Sequence, residues 1–257
     1  MTVELVFDDR GTGPPLVVLH GLFGAKRNWA SIAKALAPHH RVLAVDLRNH
    51  GASPWDAVHD YPALAGDVAR FIRTHVGGPA AVLGHSMGGK AAMVLALEEP
   101  DLVERLIVVD IAPAPSRTTL IDALQAMQQV PLAACTRRGD VDAALASTIV
   151  DPAVRAFLVQ NVTTGSAGLA WAMNLDAIAH NFPAIVGFPD VPAGRTFSGP
   201  TLFVVGERSD YVRPEHHAAI HRLFPAATVE VVTGAGHWVH AEAPDAFLAV
   251  VSGFLSA

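Results

Sequence analysis

Three short glycine-rich segments hold the residues best suited to covalent chemistry. In Gly84-His85-Ser86-Met87-Gly88-Gly89 a serine sits among glycines, after the apolar run Ala80–Leu83 and before the Ala-rich stretch Ser86–Glu98. A serine on a sharp strand-to-helix turn holds a strained backbone, and side chains on its neighbours would clash, which accounts for the glycines. Such a turn lifts the hydroxyl clear of a sheet and leaves the Met87 N–H at the positive end of a helix. A serine hydroxyl needs a base before it becomes a nucleophile. The candidate is His237 in Gly234-Ala235-Gly236-His237-Trp238, which directly follows the apolar run Val229–Val232. Active sites of open α/β sheets form at such strand ends. His20-Gly21-Leu22-Phe23-Gly24 follows a third apolar run, Leu16–Leu19. Acyl transfer gathers negative charge on the carbonyl oxygen in its transition state, and N–H donors aimed there supply a large share of the rate. The Leu22 N–H is the first candidate donor and the Met87 N–H the second, with Gly21 letting the backbone approach. The chemistry these segments point to is nucleophilic acyl transfer.

Other residues of the same types fit less well. His39, His40, His216, His217 and His221 fall in polar or helix-surface settings and read as solvated. His240 reads as a hydrogen-bonded neighbour of His237. A zinc site on these two lacks a third ligand, so no metal is expected. Cys135 lies beside Arg137 and Arg138 but has no local histidine to activate it. Lys90, one helical turn past Ser86, is expected in an ion pair or at the surface.

The elements that must position these groups are legible as short apolar runs. Leu16–Leu19, Val42–Val45, Ala80–Leu83, Leu106–Val109, Thr201–Val205 and Val229–Val232 are four or five residues long and rich in Val, Leu and Ile. Continuous runs of this length fit strands covered on both faces. Val3–Phe7 alternates instead and is expected as a first strand near an edge. Between the runs, Asn28–Ala37 and Tyr61–Val76 carry apolar residues at spacings of three and four, as helices do. Pro214–Phe224 and Pro244–Leu255 open with proline, which suits a first helical turn. Strand alternating with helix predicts an α/β fold, a mostly parallel sheet between helix layers. The alternation lapses between about Ala112 and Ser198. That stretch holds amphipathic pieces at Thr118–Val130, Val141–Ile149, Pro152–Val162 and Ala167–Ala179, no convincing strand, and a Gly/Pro-rich tail, Phe182–Pro200. It predicts an all-helical cap over 113–197, inserted into a core made of 1–112 and 198–257. Trp171, Met173, Phe182, Met127 and Leu124 are the cap residues expected either to line a pocket or to pack the cap on the core.

Together with Asp46-Leu47-Arg48-Asn49-His50-Gly51-Ala52-Ser53, the three glycine-rich segments resemble the α/β-hydrolase superfamily, over about Leu16–Pro113 and Pro200–Leu255. Gly84–Lys90 followed by Val109-Asp110-Ile111-Ala112-Pro113 is similar to small bacterial carboxylesterases with a short helical cap. The resemblance implies a serine esterase with a Ser86–His237–acid triad, an acyl-enzyme intermediate, and no metal or organic cofactor. Short to medium acyl esters are the expected substrates. A thioesterase, a lactonase, a carbon–carbon bond hydrolase or a non-catalytic receptor on the same fold are the alternatives. The acid has two candidates. Asp210 follows Thr201–Val205, the usual place in the superfamily. Asp110 ends Leu106–Val109, a place from which the similar esterases draw theirs, and the resemblance favours it. The loop from Asp46 to Gly51 is expected to buttress the site without a catalytic role.

Composition narrows the classes. Of 257 residues 51% are hydrophobic and 16% charged, a balance that builds a core rather than a disordered chain. Lys+Arg 18 against Asp+Glu 24 leaves a net charge of −6 with no basic stripe, which argues against nucleic acid as a partner. No apolar run approaches the ~20 residues of a membrane span. The first residues show no secretory signal, the Asn161-Val162-Thr163 sequon then has no use, and a single cysteine suits a reducing cytoplasm. A small-molecule ester and a monomeric or homodimeric state complete the expectation.

Overall fold

The computed structural model describes residues 1–116, 120–165 and 168–257. The expected helix starts at Thr118 and Ala167 lie outside the described residues. The chain runs through β1 (Phe7–Arg10), β2 (Pro15–Leu19), α1 (Ala30–Leu36), β3 (Arg41–Val45), α2 (Tyr61–Phe71), β4 (Ala80–His85), α3 (Met87–Glu98) and β5 (Val103–Val109). After β5 come α4 (Leu120–Gln129), α5 (Arg138–Leu145), α6 (Pro152–Val159), the strands β6 (Val162–Gly165) and β7 (Gly168–Trp171), α7 (Leu175–His180) and α8 (Phe182–Val186). The sheet then resumes with β8 (Thr201–Gly206), α9 (His217–Leu223) and β9 (Ala227–Val232), followed by α10 (Val239–Glu242) and α11 (Pro244–Ser256).

Seven strands form one sheet in the order β1-β3-β2-β4-β5-β8-β9, parallel throughout except for β1, which runs antiparallel to β3 at the edge. Strand alternation splits the core into two layers. Val17 and Leu19 of β2 join Leu64 and Val68 of α2 and the buried residues of α3, whereas Leu16 and Val18 join Ile32 and Leu36 of α1 and Phe247 and Val251 of α11. Helices thus cover both faces, which is why the central strands read as unbroken apolar runs. The β4–β5 register pairs His85 with Val109. It brings the next residue of each strand, Ser86 and Asp110, to the same end of the sheet.

The first strand begins later than the sequence suggests. Ladder pairing with β3 starts at Phe7 opposite Val45. Before it, the Val3 N–H donates to Asp67 Oδ1 at 2.7 Å and the Val6 N–H to Ser53 Oγ at 2.9 Å. Side chains therefore take the backbone bonds that a longer strand would need, although Leu5 still packs into the core.

The segment between β5 and β8 is not all-helical. Its β6 and β7 pair antiparallel, Val162 opposite Trp171 and Gly165 opposite Gly168. Four-residue strands are too short to display a period. The helix expected to run on to Ala179 is confined to α7 because the preceding backbone pairs with the core. Met173 bridges His50, and the Asn174 N–H donates to the Asn49 carbonyl at 2.9 Å. Among the described residues no helix is long and apolar enough to cross a membrane.

Several histidines are interior residues of this fold. His20, His50, His59, His85, His240 and His40 are all buried, the last against expectation. Burial disfavours the imidazolium and lowers the pKa of His20 to about 4, of His50 and His240 to about 3 and of His59 to about 2, with His85 also well below its usual range. The unfolded chain takes up these protons near pH ~6.5 while the folded chain refuses them. Folded stability is therefore complete above that pH and is lost as the pH falls toward the folded values, by about 1.4 kcal/mol per pH unit for each such histidine. Urea midpoints at pH 7.5 and 5.5 should differ clearly, with replacement of His59 by Phe flattening the dependence. Equal midpoints would contradict the assignment.

Candidate active site

Ser86 occupies the single residue between β4 and α3, with φ 52° and ψ −117°. Its N–H donates to the Val109 carbonyl at 3.0 Å, fixing the turn to the neighbouring strand. A Cβ on Gly84 would press on the Gly88 carbonyl, and one on Gly88 would lie 2.5 Å from the His20 carbonyl oxygen. Both positions exclude any side chain, so the glycines that frame the serine are required by the turn itself.

His237 follows β9 on the glycine-rich loop and reaches back across the sheet end. Its Nδ1 lies 2.7 Å from Asp110 Oδ2. A carboxylate only accepts, so Nδ1 carries the hydrogen and Nε2 is left with its lone pair. Asp110 is fully buried, with φ 51°. Its Oδ1 accepts from the Gly206 N–H at 3.0 Å, and its Oδ2 also accepts from the Ser209 hydroxyl. The Tyr211 ring stacks on the imidazole at 3.9 Å between centroids, and the His85 ring, 4.7 Å away, supports it from another side. His85 Nε2 lies 2.9 Å from the His237 carbonyl oxygen and donates to it, which holds the loop backbone. Asp210 is exposed on the rim of an adjacent cleft and makes no bond to His237 among the described residues.

The Leu22 and Met87 amides have no hydrogen-bond partner among the described residues. Two buried histidines hold the Leu22 turn. His20 Nδ1–H donates to the Gly21 carbonyl at 2.8 Å while its Nε2 accepts from the Leu47 N–H at 3.0 Å. His50 Nε2 accepts from the Phe23 N–H at 3.3 Å. The Asp46–Ser53 loop is thereby bonded directly to the His20–Gly24 turn. Asp46 adds bonds to the Lys26 and Ala52 N–H groups at 2.8 and 2.9 Å, and Arg48 is fully buried in a two-pronged pair with Asp67.

Ser86 stands between two narrow apolar cavities of about 40 and 20 Å³, both bounded by Leu22, Ser86 and Leu120. Val154, Phe157 and Trp238 wall the first, which His237 also lines. Tyr61, Ile111, Phe182 and Ile185 wall the second. Of the segment residues singled out from the sequence, Phe182 lines a cavity. Leu124, Met127 and Met173 are buried in packing, and the Trp171 Nε1–H donates to the Met127 carbonyl at 3.1 Å. The His240 ring stacks on Trp29 at 4.2 Å, and its Nδ1 has no hydrogen-bond partner among the described residues, so this nitrogen is packed rather than bonded. No group of three metal-ligating side chains occurs among the described residues.

Lys90 departs most from expectation. It is buried, and its Nζ donates to the Val186 and Gly187 carbonyls at 3.0 and 2.6 Å, at the C-terminal end of α8. Those carbonyls have no further helical turn to bond, and the ammonium satisfies them in place of a carboxylate partner. Burial lowers its pKa to about 7. Nothing in the local sequence distinguishes this lysine from a solvated one, because its partners lie almost a hundred residues away.

Comparison with known proteins identifies the family of this fold. The family model for the alpha/beta hydrolase fold matches residues 14–244. An sn-1-specific diacylglycerol lipase ABHD11 from Xenopus laevis is 41% identical over 258 residues, covering 97% of this chain and 82% of the relative. Esterase YbfF from Escherichia coli (strain K12) is 35% identical over 94% of this chain and 93% of its own length. Among solved structures, a marine microorganism esterase superposes with a TM-score of 0.95 at 34% identity, covering 98% of this chain and all of that one (100%). On the matched length, the sheet order and the identity to these relatives, the chain belongs to the alpha/beta hydrolase family.

Proposed function

We propose that this protein is a serine hydrolase of carboxylic esters, with Ser86 as nucleophile, His237 as general base and Asp110 as the acid that orients it. The carrying observation is the His237–Asp110 bond at 2.7 Å beside a strained serine that lines the same cavity as the histidine. Ser86 Oγ attacks the ester carbonyl as its proton passes to His237 Nε2. The oxyanion is held by the Leu22 and Met87 amides, whose donors are otherwise unoccupied. The imidazolium formed in this step is stabilised by Asp110 and gives its proton to the leaving alcohol. Water then repeats the sequence on the acyl-enzyme, regenerating Ser86 and releasing the acid. No cofactor enters any step.

The segment 113–197 acts in this reading as a cap, since α4, α6 and α8 supply the apolar walls on both sides of Ser86. Cavities of about 40 and 20 Å³ hold little more than a few water molecules. Short acyl groups therefore fit these two cavities with the least displacement of the cap. Longer ones require it to move or must extend into the adjoining cleft of about 610 Å³ that His237 also lines. Diacylglycerol, the substrate class in the names of several relatives, belongs among the long ones. The free Cys135 is consistent with a cytoplasmic setting.

Three measurements test the assignment. Asp110→Asn should lower kcat by something approaching ~10⁴-fold, as when a triad acid becomes an amide, with Asp210→Asn close to wild type. The reverse ranking would overturn the choice of acid. A fluorophosphonate should label Ser86 in the wild type and not in Ser86→Ala, whereas a receptor on this fold would not label. In a panel of p-nitrophenyl esters from acetate to palmitate, with acyl-thioesters, lactones and a diacylglycerol included, the short esters should give the highest kcat/KM. Absence of turnover on every ester would remove the proposal.

A further inference from the structure

Asn161 lies in a sequon, yet it is buried, and its side chain is engaged inside the protein. Its Nδ2–H donates to the Phe23 carbonyl at 2.7 Å, and Arg27 Nη2 donates to its Oδ1. A guanidinium only donates, so Oδ1 must face Arg27 and the amide N–H groups must face away from it. One of them meets Phe23, and the other makes a long contact of 3.5 Å with the Phe157 carbonyl. Beside this contact, Asn28 Nδ2 donates to Gln160 Oε1 at 3.1 Å. The turn between α6 and β6 is thus seated on the loop that carries the candidate oxyanion donor.

Phe23 has φ 60°, a left-handed conformation that favours glycine or asparagine. It is the third residue of a turn closed by the Gly24 N–H, which donates to the Gly21 carbonyl at 2.9 Å. That carbonyl shares a rigid peptide plane with the Leu22 N–H, so whatever holds the turn also aims the donor. Phe23 is held on both sides. His50 takes its N–H and Asn161 takes its C=O. The first clamp comes from the core and the second from the inserted segment.

We propose that Asn161 is a positioning residue for the oxyanion hole, coupling the seating of the inserted segment to the readiness of the Leu22 amide. This rests on the ester-hydrolase reading. Asn161 follows α6, whose Val154, Phe157 and Leu158 wall the cavity beside Ser86. Closing that wall over a substrate and clamping Phe23 are then a single event. An unseated segment leaves Phe23 to relax from its left-handed conformation and turns the Leu22 N–H away, so ester hydrolysis is slow until the wall is in place.

The test compares the wild type with Asn161→Asp and Asn161→Leu on a p-nitrophenyl ester, counting active sites by fluorophosphonate titration. The aspartate keeps the size and the Arg27 contact but sets an acceptor against the Phe23 carbonyl. The expected result is a 10- to 100-fold lower kcat per titrated site, with KM within threefold. An aryl boronic acid supplies the second reading. The serine oxygen adds to boron, the hydroxyl proton passes to His237, and a boronate oxygen occupies the place of the oxyanion. Its inhibition constant should rise by the same factor as kcat/KM falls, which partial unfolding would not produce, because unfolded molecules are not titrated. Arg27→Met, changed on the core side, should show the same pattern at smaller amplitude and serves if the Asn161 variants fail to fold. An unchanged kcat per site, or a rise confined to KM, would overturn the inference while leaving the hydrolase reading intact. A wild type without ester turnover would overturn both.

Discussion

Ser86 holds its backbone at φ 52° and ψ −117° because the chain passes from β4 into α3 within one residue. The nearby backbone of β2 leaves no room for a wider path. The Gly88 backbone lies so near the Leu19 and His20 carbonyls that a single added carbon would collide with them. Crowding of this kind costs about 1–3 kcal/mol for each strained residue and persists only where the surroundings over-determine it. Here the surroundings are the β2, β4 and β5 strand ends, among the most deeply buried parts of the sheet. The position of the hydroxyl is therefore a property of the sheet and not of a loop.

The same logic extends to the other special backbones. Among the described residues the non-glycine positions with left-handed φ are Phe23, Asn49, Ser86 and Asp110. All four lie at or beside the C-terminal ends of β2, β3, β4 and β5, adjacent strands in one sheet. Each is held by bonds to its neighbours: Phe23 by His50 and Asn161, Asn49 by Asn174, Ser86 by Val109, and Asp110 by Val204. The neutral buried histidines take part in this bracing, as directional donors and acceptors whose protonation states burial has fixed. One chemical type thus serves two ends in this chain. His20 and His50 are held neutral to support backbone, while His237 faces both the cavity and a carboxylate.

How much of this could be read beforehand depended on the range over which a residue finds its partners. The strands at Leu16–Leu19, Ala80–Leu83 and Leu106–Val109 announce themselves because burial on both faces leaves no alternation, and the strand-to-helix turn at Ser86 announces itself through glycines that it demands. Resemblance alone favours Asp110 over Asp210, since no local pattern separates them; in the fold the two differ in a fully buried seat against an exposed rim. The antiparallel pair β6–β7 is not legible in the sequence because its strands are four residues long. Nor are the settings of Lys90 and Asn161, because their partners are 96 and 138 residues distant in the chain. The alternation at Val3–Phe7 marks an edge strand, but ladder pairing begins only at Phe7 because Asp67 and Ser53 side chains capture the earlier amides.

The order of the strands has a consequence for how the molecule can be divided. Because Asp110, the proposed acid, directly follows β5 and not β8, everything up to residue 112 already contains the serine, both candidate amide donors and that carboxylate. Only the imidazole arrives from the other side of the insertion. A chain severed within the insertion would leave two fragments meeting along the β5–β8 seam, where Leu106 to Val109 pair with Thr201 to Val204. On the proposed mechanism neither half alone would hold the full set of reacting groups, since His237 and the Gly206 and Ser209 donors to Asp110 all lie in the second.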